Sequence, residues 1–302
     1  MADALGLADE DVMLDLASAS NWDIATRYHE FKSKPAAQKN RKLAEKLRAL
    51  STRAVLERAQ SVLGSVVRPT DHRQSPLSEV PTDALLPELD LETTLEESPW
   101  ATQQGSKFYP RPEDLWIEFQ TVRDQAVILT VDTSLSMTGE KLALTAVALA
   151  VVLLQFPDDP VGIVAFENDA KVLKATDEKI TIEELIARFL DVPAQGYTHL
   201  EAGMKSALTL LRGTASSRSR RPPSCVLLTD GKYTAGKDPA YLAARFPHLV
   251  VLKMGDERSS QPLCAELARK GRGALREVGE LEALPEAMYG VVKDLLRGTI
   301  LR

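Results

Sequence analysis

The chain has 302 residues, 44% of them hydrophobic and 26% charged, the balance of a globular protein rather than a disordered or fibrous one. A formal net charge of −6 argues against general nucleic-acid binding, because neutralising phosphates requires a concentrated basic surface. Cys225 and Cys264 lack metal-ligand spacing and call for no oxidising compartment.

Residues 1–66 read as a helical N-terminal region. Met1-Ala2-Asp3-Ala4-Leu5 carries an acid in place of a basic flank, and no apolar core follows. No signal peptide and a cytoplasmic location are therefore expected. Helices are predicted at Asp9–Ser18, Trp22–Phe31 and, most clearly, Ala36–Leu63. In the last, Leu43, Leu47, Leu50 and Ala54 recur on one face, and Gly64 supplies a stop. Lys42, Lys46, Arg48, Arg53 and Arg58 fall mainly elsewhere, as a solvated basic face, with a partner-docking surface as the alternative.

Residues 67–122 read as a proline-rich, acidic connecting segment. Pro69, Pro76, Pro81, Pro87 and Pro99 interrupt regular structure, and Glu79, Asp83, Glu88, Asp90, Glu92, Glu96 and Glu97 follow one another with no Lys or Arg among them. Leu85, Leu86, Leu89, Leu91 and Leu95 are too apolar for a free tether, so the segment is expected to lie along the protein with a short helix at Asp90–Glu97.

From 123 to 302 strand and helix patterns alternate, which predicts an α/β fold: a doubly wound, mostly parallel sheet with one antiparallel edge strand. Strands are expected at Ala126–Val131, Val161–Phe166, Cys225–Leu228, Leu249–Lys253 and Ala274–Val278. Ala170–Leu173 follows Val161–Phe166 after so short a turn that only a hairpin is possible. Helices are expected at Gly139–Gln155, Ile182–Leu190, Leu200–Leu211, Pro239–Arg245, Gln261–Lys270 and Pro285–Leu296. The apolar run Leu142–Phe156 is too short to span a bilayer and reads as a buried helix. Thr214–Arg221 reads as an exposed loop. No phosphate-binding Gly-Lys-Ser/Thr loop is present.

Three polar sites punctuate this domain. Asp132-Thr133-Ser134-Leu135-Ser136 closes the first strand; Gly196-Tyr197-Thr198 and Thr229-Asp230-Gly231 are read as two later strand ends. Asp132, Ser134, Ser136, Thr198 and Asp230 are hard oxygen donors, suited to Mg²⁺ or Mn²⁺ rather than to zinc or copper. Taken singly, each segment is an ordinary polar turn; their order and their place at the carboxyl edge of a doubly wound sheet carry the prediction.

In that order the residues resemble the metal-ion-dependent adhesion site of von Willebrand factor A (VWA) domains, D-x-S-x-S, then Thr, then Asp. The resemblance covers roughly residues 123–298. It departs at Leu135, where many relatives have Gly, and at Tyr197, where a small residue often precedes the Thr. It implies that Ser134, Ser136 and Thr198 ligate the ion directly, that Asp132 and Asp230 act mainly through water, and that a protein partner supplies an Asp or Glu carboxylate. The size and layout resemble CoxE-like VWA proteins that work with MoxR-type AAA+ ATPases, which implies a cytoplasmic, non-enzymatic adaptor or co-chaperone. A Mg²⁺-dependent hydrolase and a non-catalytic chelatase subunit are the alternatives. His199 reads as a rim residue.

Overall fold

The computed structural model describes residues 20–33, 40–65, 72–80, 82, 84–97, 111–121, 125–157, 159–194, 196–214, 222–255 and 257–296. The helix expected at Asp9–Ser18 and nearly all of the loop expected at Thr214–Arg221 lie outside them. The chain begins with helices α1 (Asn21–Thr26), α2 (Tyr28–Ser33) and α3 (Arg41–Ser65). Next come β1 (His72–Pro76), β2 (Ala84–Leu89), helix α4 (Leu91–Glu97) and β3 (Trp116–Thr121). The α/β part then runs β4 (Val127–Asp132), α5 (Glu140–Gln155), β5 (Val161–Phe166), β6 (Ala170–Lys174), α6 (Ile182–Leu190) and α7 (Leu200–Thr214). It ends with β7 (Ser224–Thr229), α8 (Ala240–Ala243), β8 (Leu249–Met254), α9 (Gln261–Lys270), β9 (Leu275–Val278) and α10 (Leu284–Leu296).

Six strands form the main sheet in the order β6-β5-β4-β7-β8-β9. All neighbours are parallel except β6, which pairs antiparallel with β5. Successive strand residues face opposite sides. Val127, Leu129, Val131, Ile163, Ala165, Val226 and Leu228 pack into one core with α5, α6 and α10. Ile128, Val164, Phe166, Cys225, Leu227 and Val251 pack into another with α7, α8 and α9. A sheet covered on both faces needs strands apolar throughout, which explains the unbroken runs. Cys225 and Cys264 are both buried and unpaired, and burial pushes their thiols up to about 12 and about 11.

Helix α5 is buried over nearly its whole circumference, from Leu142 to Leu153. Its inner side meets the sheet, and its outer side is covered by α1 and α3 through Ile24, Leu43, Leu47 and Val55. A helix apolar all round must be enclosed, and the N-terminal helices complete the enclosure. Residues 1–67 and 124–302 accordingly form one compact unit. Among the described residues, no helix is long and apolar enough to cross a membrane.

Residues 68–123 form a second compact unit. The sequence carries no strand pattern there, yet β3 pairs antiparallel with β1 on one side and β2 on the other. The short helix expected at Asp90–Glu97 is α4, opened by Asp90, whose carboxylate accepts from the Thr93 N–H and hydroxyl at 3.0 and 2.7 Å. His72–Pro76 has no apolar run, and Pro87 breaks the pattern of β2. Their pairing with β3, whose Ile117 and Phe119 are buried, stands in for the missing signal.

In the main unit, α7 approaches the sheet at Gly203, where an added Cβ would stand 2.5 Å from the fully buried Phe166 ring. Alanine is the better helix former, but it would have to displace that ring. Gly203→Ala is expected to lower the free energy of unfolding by about 1–3 kcal/mol. Urea denaturation measures this, and an unchanged or higher midpoint would contradict the packing described.

Candidate metal centre

In a doubly wound sheet, ligands bind beyond the carboxyl ends of the strands where the chain's direction of travel across the sheet reverses. Here the chain leaves β4 toward β5 on one side and later returns to β7 on the other, so the crevice lies between β4 and β7. Asp132 ends β4, and Asp230 directly follows β7.

Asp132 is fully buried. Its Oδ1 accepts from the Ser134 N–H at 2.9 Å, and its Oδ2 accepts from the Thr229 hydroxyl at 2.8 Å. Burial pushes the carboxyl up to about 6; the bonds from Ser134 and Thr229 oppose that rise, and the neighbouring Asp230 charge adds to it. The Thr229 hydroxyl also accepts from the Gly231 N–H at 3.0 Å, so one side chain joins the first loop to the turn that presents Asp230. Gly231 lies at φ 78°, the left-handed region, and an added Cβ there would stand 2.6 Å from Cys264 Sγ.

The first loop contains a short helical turn over Leu135–Met137. Met137 points into the core and is fully buried, while Leu135 and Ser136 face outward. The Ser134 and Ser136 hydroxyls lie 3.2 Å apart. The Thr133 N–H and hydroxyl both donate to the Phe166 carbonyl, at 2.9 and 3.0 Å, which fastens the loop to the end of β5. Thr133 is itself buried, a fixing residue that the motif does not name.

Gly196-Tyr197-Thr198, read from sequence as a strand end, instead lies in the loop between α6 and α7 and leads into α7. Its placement comes from neighbouring loops on two sides. The Gly196 and Tyr197 N–H groups donate to the Glu167 and Asn168 side chains at 2.9 and 2.8 Å. On the other side, the Thr198 N–H donates to the Thr234 hydroxyl at 3.0 Å, and the Thr198 carbonyl accepts from the Thr234 and Ala235 N–H groups at 3.0 and 3.3 Å. The Leu135 N–H donates to the Gly196 carbonyl at 3.2 Å, which closes the first loop onto this one. Ser136 and Thr198 line a single cleft of about 420 Å³ with Leu135, Asn168, Tyr197 and Thr234. The Glu167-Asn168 turn was legible only as a hairpin bend, and no sequence signal linked it to Thr198. His199, expected at the rim, is fixed by Nδ1 at 2.8 Å from the Asn168 carbonyl.

The five predicted positions thus fall at one edge of the sheet. Asp132, Ser134 and Ser136 form a hydrogen-bonded chain, Asp230 is held next to it through Thr229, and Thr198 faces the same cleft as Ser136. Adjacent oxygens of an octahedral Mg²⁺ site stand about 3.0 Å apart, so the spacing of the two serine hydroxyls fits two neighbouring positions. Among the described residues, no group of three His, Cys, Asp or Glu side chains could hold a metal. A metal here would therefore depend on the hydroxyls, a donor set that favours a hard cation.

With this geometry established, the chain is an α/β protein with an oxygen-rich loop cluster at the switch point of a doubly wound sheet. Residues 127–232 match the family model described as von Willebrand factor type A domain, and all five positions lie within that span. No curated protein sequence matches the chain. Among solved structures, it is similar to the conserved hypothetical protein BatB from Bacteroides thetaiotaomicron (18% identity, 57% of this chain and 99% of that one, TM-score 0.44). It is also similar to a von Willebrand factor type A protein from Catenulispora acidiphila (16% identity, 60% of this chain and 45% of that one, TM-score 0.48). Another is proximal thread matrix protein 1 from the mussel byssus with a zinc-occupied MIDAS motif (17% identity, 57% of this chain and 48% of that one, TM-score 0.46).

Because Thr229 bonds both Asp132 and the Gly231 amide, its loss would leave a buried carboxylate oxygen without its donor. Thr229→Val keeps the shape and is expected to destabilise the fold by about 1–3 kcal/mol. Chemical denaturation in EDTA measures the intrinsic cost, and a change below a few tenths of a kcal/mol would contradict the bond's structural role.

Proposed function

We propose that this protein is a non-enzymatic, cytoplasmic binding module that grips an acidic side chain of a partner protein through a divalent cation, Mg²⁺ or Mn²⁺. The observation that carries the reading is the bonded chain Ser136–Ser134–Asp132–Thr229, which assembles oxygen donors from separate loops beside an open cleft. Ser134, Ser136 and Thr198 would ligate the ion, with Asp132 and Asp230 behind them. When bound, such a cation supplies a coordination position that an incoming carboxylate can take.

The residues on either side fit recognition of a protein surface. Neutral hydroxyls leave a cation's charge largely uncompensated, so an anionic visitor is favoured. Leu135 and Tyr197 flank the cleft and are 62% and 69% exposed, apolar surface available to a partner beside the acidic contact. Leu135 stands where many relatives of the motif carry Gly, so it adds apolar surface at the rim.

The cellular role we propose is that of an adaptor or co-chaperone for a MoxR-type AAA+ ATPase. It is supported by the resemblance of the chain's size and layout to CoxE-like VWA proteins, and by the absence of a phosphate-binding loop of its own.

The purified chain is expected to bind Mn²⁺ at one site, with Asp132→Ala or Ser134→Ala weakening that binding by about tenfold or more. Titration calorimetry measures it, and a wild type that takes up no Mn²⁺ overturns the metal reading. Partner recovery from the source cell should depend on Mg²⁺ and fall in EDTA. Equal recovery of every partner under both conditions would contradict metal-mediated binding.

A further inference from the structure

Glu201 sits in the first turn of α7, three residues beyond Thr198, with a side chain only 7% exposed. Its Oε1 accepts from the Tyr241 hydroxyl at 2.5 Å and from Lys205 Nζ at 2.6 Å, and its Oε2 accepts from the Lys237 N–H at 2.9 Å. Two of these donors lie outside α7: Lys237 in the loop that follows Asp230 and Tyr241 in α8. The carboxylate therefore fastens the loop between β7 and α8 to the start of α7.

That loop contributes directly to the metal centre. It begins at Asp230, and its Thr234 fixes the Thr198 backbone from both sides, through N–H and carbonyl. It is seated at Gly236, which lies at φ 84° and so close to the His199 ring that an added Cβ would stand 2.4 Å from it. Glu201 closes the far end of the same seat. The bonds from Lys205, Tyr241 and the Lys237 N–H hold its carboxyl down at about 2.

We infer that Glu201 is a positioning residue for the metal centre: by clamping the β7–α8 loop to α7 it fixes Thr198 and Asp230 relative to each other. The inference deepens the metal reading and rests on it. An acid in the first turn also favours a helix by opposing the helix dipole, but that role requires no bond to Lys237 or Tyr241 and predicts no effect on a metal.

The test separates these roles. Glu201→Gln turns one acceptor oxygen into a donor group facing donors, so the clamp opens while the side-chain volume stays. Mn²⁺ affinity of the full chain, by calorimetry, is expected to fall about 10-fold or more. Tyr241→Phe, which removes the Tyr241 hydroxyl from the clamp, should shift it in the same direction by less. Amide hydrogen exchange in metal-free protein, read at residues 232–237, should be faster in Glu201→Gln than in wild type. Wild-type Mn²⁺ affinity retained by Glu201→Gln, or unchanged exchange in that loop, overturns the inference. A wild type that binds no Mn²⁺ overturns the metal reading, while the exchange measurement still reports on the clamp.

Discussion

The candidate site depends on one buried contact, the hydrogen bond from Thr229 to Asp132 across the central strands β4 and β7. A carboxylate removed from water is tolerated only when its oxygens find donors. Asp132 finds them in the Ser134 amide and the Thr229 hydroxyl, one from its own loop and one from the neighbouring strand. The same bond that makes the buried acid tolerable sets the spacing between the loops that carry Ser134 and Asp230. Fold stability and site geometry share a single interaction, so neither can change freely without the other.

Around that contact, the loops are fixed by hydrogen bonds that the D-x-S-x-S pattern does not specify. Thr133 and the Phe166 carbonyl, Glu167 and Gly196, Asn168 and Tyr197, Thr234 and Thr198 each tie one connection to the next. Such a lattice of short backbone contacts preorganises oxygen donors that would otherwise scatter with loop motion.

Most of the main sheet was legible because strands buried on both faces must be apolar throughout, and turns at their ends must not be. Val161–Phe166, Ile182–Leu190 and Gln261–Lys270 fall where their patterns end, and the hairpin β5–β6 follows from the shortness of its turn. The ends of β4 and β7 located Asp132 and Asp230 for the same reason. Thr198 was placed on the wrong kind of element, since a polar triplet before a helix and one after a strand look alike without partners. Glu201 had no pattern at all: an acid at the start of a helix is commonplace, and only Lys237 and Tyr241, 36 and 40 residues away, make it a clamp. The small sheet of residues 68–123 was missed because its outer strands are polar or broken by proline and gain their structure from β3.

The enclosure of α5 has a practical consequence for anyone dissecting this chain. The family match begins at residue 127, which invites cutting the protein there. Such a fragment would lose α1 and α3 and uncover the outer flank of a helix that has almost no polar side to offer water. Self-association of that fragment would then reflect a missing cover rather than a native oligomer, and its solubility would say little about the intact molecule.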